Sequence, residues 1–284
     1  MVSPAAPPVR TRPFWAFWRR PVFVPAIRLH GVIGAFPLRG PGLALFGLER
    51  AIDRAFGVRR APAVALIVNC PGGAPVQAAL IARRIRRLAE QKRRTVLAFV
   101  EDVATSGGYW LATAADEIFV EASSIVGSIG VISAGFGFAE ALARLGIERR
   151  VHTSGARKSF LDPFRPERPE DVALLAELQA EIHERFKEQV RSRRAGRLRA
   201  SEEELFDGRV WTGARAVELG LADGVGEIRT VLEERYGPEV VVSVVNPPRR
   251  RFLERFGFSA LASEATAAVL AMLEERAMLR RLGL

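Results

Sequence analysis

The 284-residue chain has a single cysteine, Cys70, and only three histidines, His30, His152 and His183. One cysteine excludes an intramolecular disulfide, so the fold does not depend on an oxidising compartment. It also excludes a metal site built on cysteines, and no two histidines stand at zinc-ligand spacing on one helix. No metal or other cofactor is expected. Nowhere does apolar sequence run for about 20 residues, the length of a spanning helix. Residues 1–20 form an irregular leader carrying Arg10, Arg12, Phe14, Trp15, Phe17, Trp18, Arg19 and Arg20. They lack the uninterrupted apolar stretch and small-residue cleavage site of a secretory signal. The expected location is the cytoplasm or the membrane periphery, where a Trp and Arg mixture suits the interface. The competing reading of the leader is an arm that precedes the first strand.

What is present is a chain able to fold. Apolar residues make up 49% of it, which excludes a disordered chain. The formal charge is +10 and the pI about 11.0, a balance often met in partners of nucleic acid or anionic membranes. The basic residues are mostly Arg and read as scattered along the chain. No nucleic-acid-binding module signature accompanies them, so a solvated basic surface and no nucleic-acid partner are expected.

Pro25–Gly34 reads as a strand and Gly42–Phe56 as a helix. Ala61–Val68 is a short apolar run of the kind a buried parallel strand shows. Pro75–Gln91 is the clearest helix: Leu80, Ile81, Ile85 and Leu88 share a face that Arg83, Arg84, Arg86 and Arg87 avoid. Thr95–Val100 is the next buried strand, followed by a turn over Glu101–Thr105, a helix over Tyr109–Ala115 and a strand over Glu117–Val120. Arg149–His152 is strand-like. Asp171–Arg197, Trp211–Gly220 and Glu227–Tyr236 read as helices, and Ala222–Val225 and Glu239–Val245 as strands. Phe252–Leu282 reads as an amphipathic helix, interrupted by Glu264, Glu274 and Glu275. Alternating strands and helices predict an α/β protein with a parallel sheet. The expected organisation is a leader over 1–20, one folded unit over 21–246 and a helical extension over 247–284.

Three segments carry chemistry. Ser106-Gly107-Gly108 stands between a buried strand and a helix, where catalytic groups of parallel sheets gather. Gly107 allows close backbone approach, and its amide suits an oxyanion. The plain alternative is a serine helix cap. Asn69-Cys70-Pro71-Gly72-Gly73 follows another buried strand, and its glycine amides suit a second oxyanion donor; the alternative is an ordinary Pro-Gly turn. Lys158 lies in Ser154-Gly155-Ala156-Arg157-Lys158-Ser159-Phe160. A lysine is a general base only when neutral, a form that burial favours; a lone lysine is more often a surface residue.

Together NCPGG (69–73), EDVATSGGYW (101–110), IVGSIGVI (125–132) and SGARKSFLDPF (154–164) resemble the signal peptide peptidase A type of Ser-Lys proteases. The resemblance runs from about Pro25 to about Val245. It implies a Clp-protease/crotonase-like α/β fold, with stacked parallel strands covered by helices. It further implies Ser106 as nucleophile, Lys158 as general base, Ser128 as the serine that hydrogen-bonds the lysine, and Gly107 with Gly73 (or Gly72) as oxyanion donors. Signal peptides or other apolar, unfolded peptides are the substrates it implies. A ring-like homo-oligomer follows too, in which neighbouring subunits share active sites. The chain departs from the pattern at Cys70, where serine is usual, and the N-terminal membrane anchor of many relatives is not expected from residues 1–20. Two rival functions on the same fold are a crotonase-like acyl-CoA hydratase or isomerase and an inactive membrane scaffold.

Overall fold

The computed structural model describes residues 21–36 and 40–246. The expected leader over 1–20 and the helix over Phe252–Leu282 lie outside the described residues. The first half runs β1 (Phe23–His30), β2 (Ala35–Phe36), β3 (Gly40–Pro41), α1 (Leu45–Gly57), β4 (Ala63–Cys70), α2 (Pro75–Lys92) and β5 (Thr95–Thr105). Then come α3 (Gly107–Ala112), β6 (Glu117–Val120), β7 (Ile125–Gly127), α4 (Ala139–Arg144) and α5 (Pro169–Arg193). The chain closes with α6 (Glu202–Leu205), β8 (Val210–Thr212), α7 (Gly213–Glu218), β9 (Gly224–Val225), α8 (Ile228–Tyr236) and β10 (Val241–Val244).

The main sheet has the order β10-β1-β4-β5-β6-β9, with every neighbour parallel. Parallel pairing needs a crossover, and α1 and α2 supply it on one face. Their apolar sides, Leu48 and Ile52 on α1 and Ile81 and Ile85 on α2, join Val64, Leu66 and Val68 of β4 in the larger core. Ala65, Ile67, Leu97 and Phe99 point to the other face and pack with Val231 and Leu232 of α8. β4 is therefore covered on both sides, which explains its unbroken apolar run. The α/β class and helix-covered parallel sheet expected from the sequence are what the structure shows.

Three local expectations are corrected. Glu101–Thr105 is not a turn, because β5 continues through it. The register against β4 shifts between Val68 and Cys70, and Val103, Ala104 and Thr105 then pair with β7 instead of β6. Two exposed acids, Glu101 and Asp102, sit at the shift and hid the continuation. Trp211–Gly220 is not one helix: Trp211 pairs antiparallel with Val126, and the Thr212 hydroxyl then caps α7 at the Arg215 amide. Arg149–His152 forms no strand. It belongs to an exposed stretch, 131–168, in which α4 is the one regular element. There Arg149 pairs with Asp162 at 3.0 Å and lies 4.6 Å over the Phe164 ring.

Candidate active site

β5 ends at Thr105 and α3 begins at Gly107, so Ser106 occupies the junction alone. Its backbone has φ 51° and ψ −124°. A positive φ costs a non-glycine residue about 1–3 kcal/mol, and such strain persists only where neighbours over-determine it. The Ser106 amide donates to the Gly127 carbonyl at 2.8 Å, and its carbonyl accepts from the Trp110 amide at 3.0 Å. The hydroxyl makes no capping bond to α3, which sets the plain helix-cap reading aside. All six α3 residues are buried. The Tyr109 hydroxyl donates to the Leu221 carbonyl at 2.8 Å, and Trp110 stacks on Phe186 of α5 at 5.0 Å. The strained serine thus rests on a helix locked into the core.

The loop after β4 closes over it. The Thr105 hydroxyl donates to the Pro71 carbonyl at 3.0 Å in a buried bond. A Cβ on Gly72 would stand 2.8 Å from the Cβ of Ser106, and one on Gly108 would stand 2.0 Å from the Cys70 carbonyl oxygen. Gly108 is required by close approach, and Gly72 both by close approach and by its φ of 114°. The loop is fixed from beneath: Ile33 donates to the Gly72 carbonyl and accepts from the Ala74 amide. The Gly73 amide nitrogen lies beside Gly107, 3.5 Å from where a Gly107 Cβ would be. Neither the Gly73 nor the Gly107 amide donates to a backbone carbonyl among the described residues. The Gly72 amide likewise donates to no backbone carbonyl among the described residues, so both glycines that the sequence left open as donor stay open.

Cys70 is fully buried, and burial pushes its thiol up to about 12, against a smaller opposite pull from the Gly72 amide. Burial favours the neutral thiol, and the side chain packs in the larger core.

Ser128 stands one residue beyond Gly127 and also has a positive φ, 51°. Its amide donates to the Arg209 carbonyl at 2.7 Å. The Ile129 carbonyl is met by Nε2 of His183 on α5 at 3.1 Å. Ser106, Gly72, Gly73, Gly107 and the Ser128 loop are therefore brought together. Lys158 is not: it is exposed on the 131–168 stretch, and no hydrogen bond joins its amine to Ser106 or Ser128. His183 was missed in the sequence. Its spacing from Phe186 and Val190, both buried, is the signal that places it on the inner side of α5.

Among the described residues no group of three His, Cys, Asp or Glu is placed to hold a metal ion, and no helix is long and apolar enough to cross a membrane. A cavity of about 470 Å³ opens on the α8 face, lined by Ile67, Phe99, Glu101, Glu121 and Ile228, and shares no residue with the Ser106 site.

Residues 88–237, more than half of the chain, match Peptidase family S49. The chain belongs to peptidase family S49. Membership bears out the peptidase class that the four motifs led us to expect, and the helix-covered parallel sheet agrees with the expected α/β fold. The matched stretch includes Ser106, Ser128 and Lys158, while the Gly72-Gly73 loop precedes it. The S49 chain is 46% identical over 273 residues to a Brucella abortus protein named Na(+)/H(+) antiporter NhaA, covering 92% of this chain and 37% of that protein. It is 34% identical over 194 residues to the chloroplastic serine protease SPPA of Arabidopsis thaliana, covering 67% of this chain and 28% of that one. The chain thus spans well under half the length of either relative. A solved mutant of the 1510-N membrane-bound stomatin-specific protease is similar over 81% of this chain and 96% of that chain, at 15% identity and a TM-score of 0.48.

Proposed function

We propose that the unit spanning 21–246 is a serine endopeptidase in which Ser106 is the nucleophile and Lys158 the general base. The observation that carries this reading is the strained Ser106 junction with two unused amides, Gly73 and Gly107, beside it. The Ser106 Oγ attacks the scissile carbonyl carbon as its proton passes to the neutral Lys158 amine. The carbonyl oxygen becomes an oxyanion held by the Gly73 and Gly107 amides, an interaction whose loss costs about 10²–10³ in rate. The C–N bond then breaks, the lysine proton goes to the leaving amine, and Ser106 carries the acyl group as an ester. Water, deprotonated by Lys158, hydrolyses that ester and restores both residues. Ser128 orients the lysine through its hydroxyl.

One chain leaves Lys158 exposed, and we assign its approach to Ser106 to assembly. Ile132, Phe136 and Leu145 of the 131–168 stretch are 76%, 81% and 72% exposed. Apolar exposure on that scale supports an interface between copies. The assembly is a ring-like homo-oligomer whose neighbours complete one another's sites. Its substrates are signal peptides or other apolar, unfolded peptides. A peripheral membrane location agrees with the Brucella relative, which carries a region like this chain within a polypeptide named as an antiporter.

The test is labelling of the purified protein with a fluorophosphonate probe, comparing wild type with Ser106→Ala, Lys158→Ala and Cys70→Ser. Loss in the first two variants and retention in the third is expected. Labelling that survives Ser106→Ala would overturn the assignment.

A further inference from the structure

Within the folded unit the basic residues are not scattered evenly, as the sequence suggested. Residues 45–94 hold eleven Arg or Lys against three Asp or Glu. These residues are α1, α2 and their flanks, with the uncharged β4 between. The two helices lie side by side on one face of the sheet, tied by Arg84 and Asp53 at 2.7 Å. Both are crossovers between parallel strands, so they run in the same direction and form one flat outer surface of about 20 by 10 Å or more.

Their inner sides are spent on the core, which leaves the charge outside. Arg50, Arg59, Arg60, Arg83, Arg87 and Lys92 are exposed and form no ion pair with any described carboxylate. Basic residues at helix C-termini complement the helix dipole, which accounts for Lys92. It does not account for Arg50, Arg83 and Arg87, which lie in helix interiors. At the opposite, N-terminal end of the same helices stand two exposed apolar residues, Phe46 at 94% and Val76 at 66%. The Gln77 side chain accepts from the Leu45 amide at 3.0 Å and so brings these helix starts together. Val76 is three residues from Gly73, at the mouth of the Ser106 site.

We infer that the outer face of α1 and α2 docks on an anionic lipid surface, with the arginines at the headgroups and Phe46 and Val76 in the interface. Basic side chains on a flat face gain from anionic headgroups, and an apolar edge supplies the insertion that attraction alone does not. Nucleic acid fits less well: two helices lying side by side present no single protruding element to a groove. The face has Phe46 as its one exposed aromatic, where strand-binding surfaces stack successive bases. Docked in this way, the site mouth at Gly73 opens toward the membrane, where apolar peptides reside. The docking itself does not depend on the chemistry assigned to Ser106.

The experiment is flotation of the full chain with vesicles of phosphatidylcholine containing about 30% phosphatidylglycerol, against pure phosphatidylcholine vesicles, at about 0.1 M salt. Binding to the anionic vesicles alone is expected, and its loss at about 0.5 M salt. Arg50→Glu/Arg83→Glu/Arg87→Glu is expected to weaken it at least about tenfold with Tm unchanged. A control reversal of exposed arginines elsewhere, Arg144→Glu/Arg150→Glu/Arg165→Glu, leaves it intact. Equal binding to both vesicles, an equal loss in the control, or displacement of the protein from vesicles by a duplex oligonucleotide overturns the inference. Fluorophosphonate labelling of the same samples reports separately on the peptidase reading.

Discussion

The amide of Ser106 donates to the carbonyl of Gly127 across 2.8 Å, so the Ser106 junction and the Ser128 loop are neighbours in one strand pair. Both serines have a φ of 51°. Two strained residues at the end of the β5–β7 pairing draw further support from their surroundings. On the Ser128 side it includes His183, whose Nε2 meets the Ile129 carbonyl at 3.1 Å. Nε2 donates to that carbonyl as neutral tautomer or as imidazolium.

His183→Ala is therefore expected to slow fluorophosphonate labelling of Ser106 by about two- to tenfold, the range of one net hydrogen bond. His183→Gln, whose amide keeps a donor at similar reach, recovers most of that loss. Labelling rates and Tm of both variants check this. A fall in Tm with an unchanged labelling rate assigns His183 to stability alone.

Gly72 has φ 114°, and an added Cβ would stand 2.8 Å from the Ser106 Cβ. Gly72→Ala combines backbone strain with overpacking, and a loss of at least about 2 kcal/mol is expected by urea unfolding. Because the clash falls on Ser106, labelling declines as well. A variant as stable as wild type means that the loop moves freely, contrary to its fixing by Ile33.

These supports show how far the sequence could be read. The apolar runs at 61–68 and 95–100 announced a parallel sheet, because strands covered on both faces have no polar side. Ser106-Gly107-Gly108 announced the junction, because few residues tolerate such packing. The continuation of β5 was hidden by Glu101 and Asp102, which the register shift turns outward. The gathering of charge on α1 and α2 was hidden too, since a list of arginines does not say which helices share a layer. The position of Lys158 is of a third kind: its surroundings within one chain are solvent.

Cys70 gives a pH-dependent signature of the packed loop. Its thiol is pushed up to about 12 in the folded protein, whereas an unfolded thiol titrates at about 8.5. Above the unfolded value the unfolded chain sheds a proton that the folded chain keeps, so stability falls as pH rises. The slope is about 1.4 kcal/mol per pH unit. Between pH 8 and 10 the wild type is expected to lose at least about 1 kcal/mol more than Cys70→Ser, measured by urea unfolding. Parallel pH dependences would show that the thiol is reached by solvent.

Site sharing between copies is tested by mixing. Ser106→Ala keeps its lysine and Lys158→Ala keeps its serine, and each alone is expected to be unlabelled. If a site takes both residues from one chain, a mixture of the two variants stays inactive. If Lys158 is delivered by a neighbour, co-assembly at equal amounts restores about a quarter of the sites, because serine and lysine then assort independently. The exposed Lys158 and the apolar surface around Ile132, Phe136 and Leu145 favour the second outcome. Ile132→Ser/Phe136→Ser in both variants is expected to abolish the restoration and to leave a smaller species by sedimentation. The same serines in wild type then remove labelling without touching Ser106, Lys158 or Ser128, which separates a failure of assembly from a failure of chemistry.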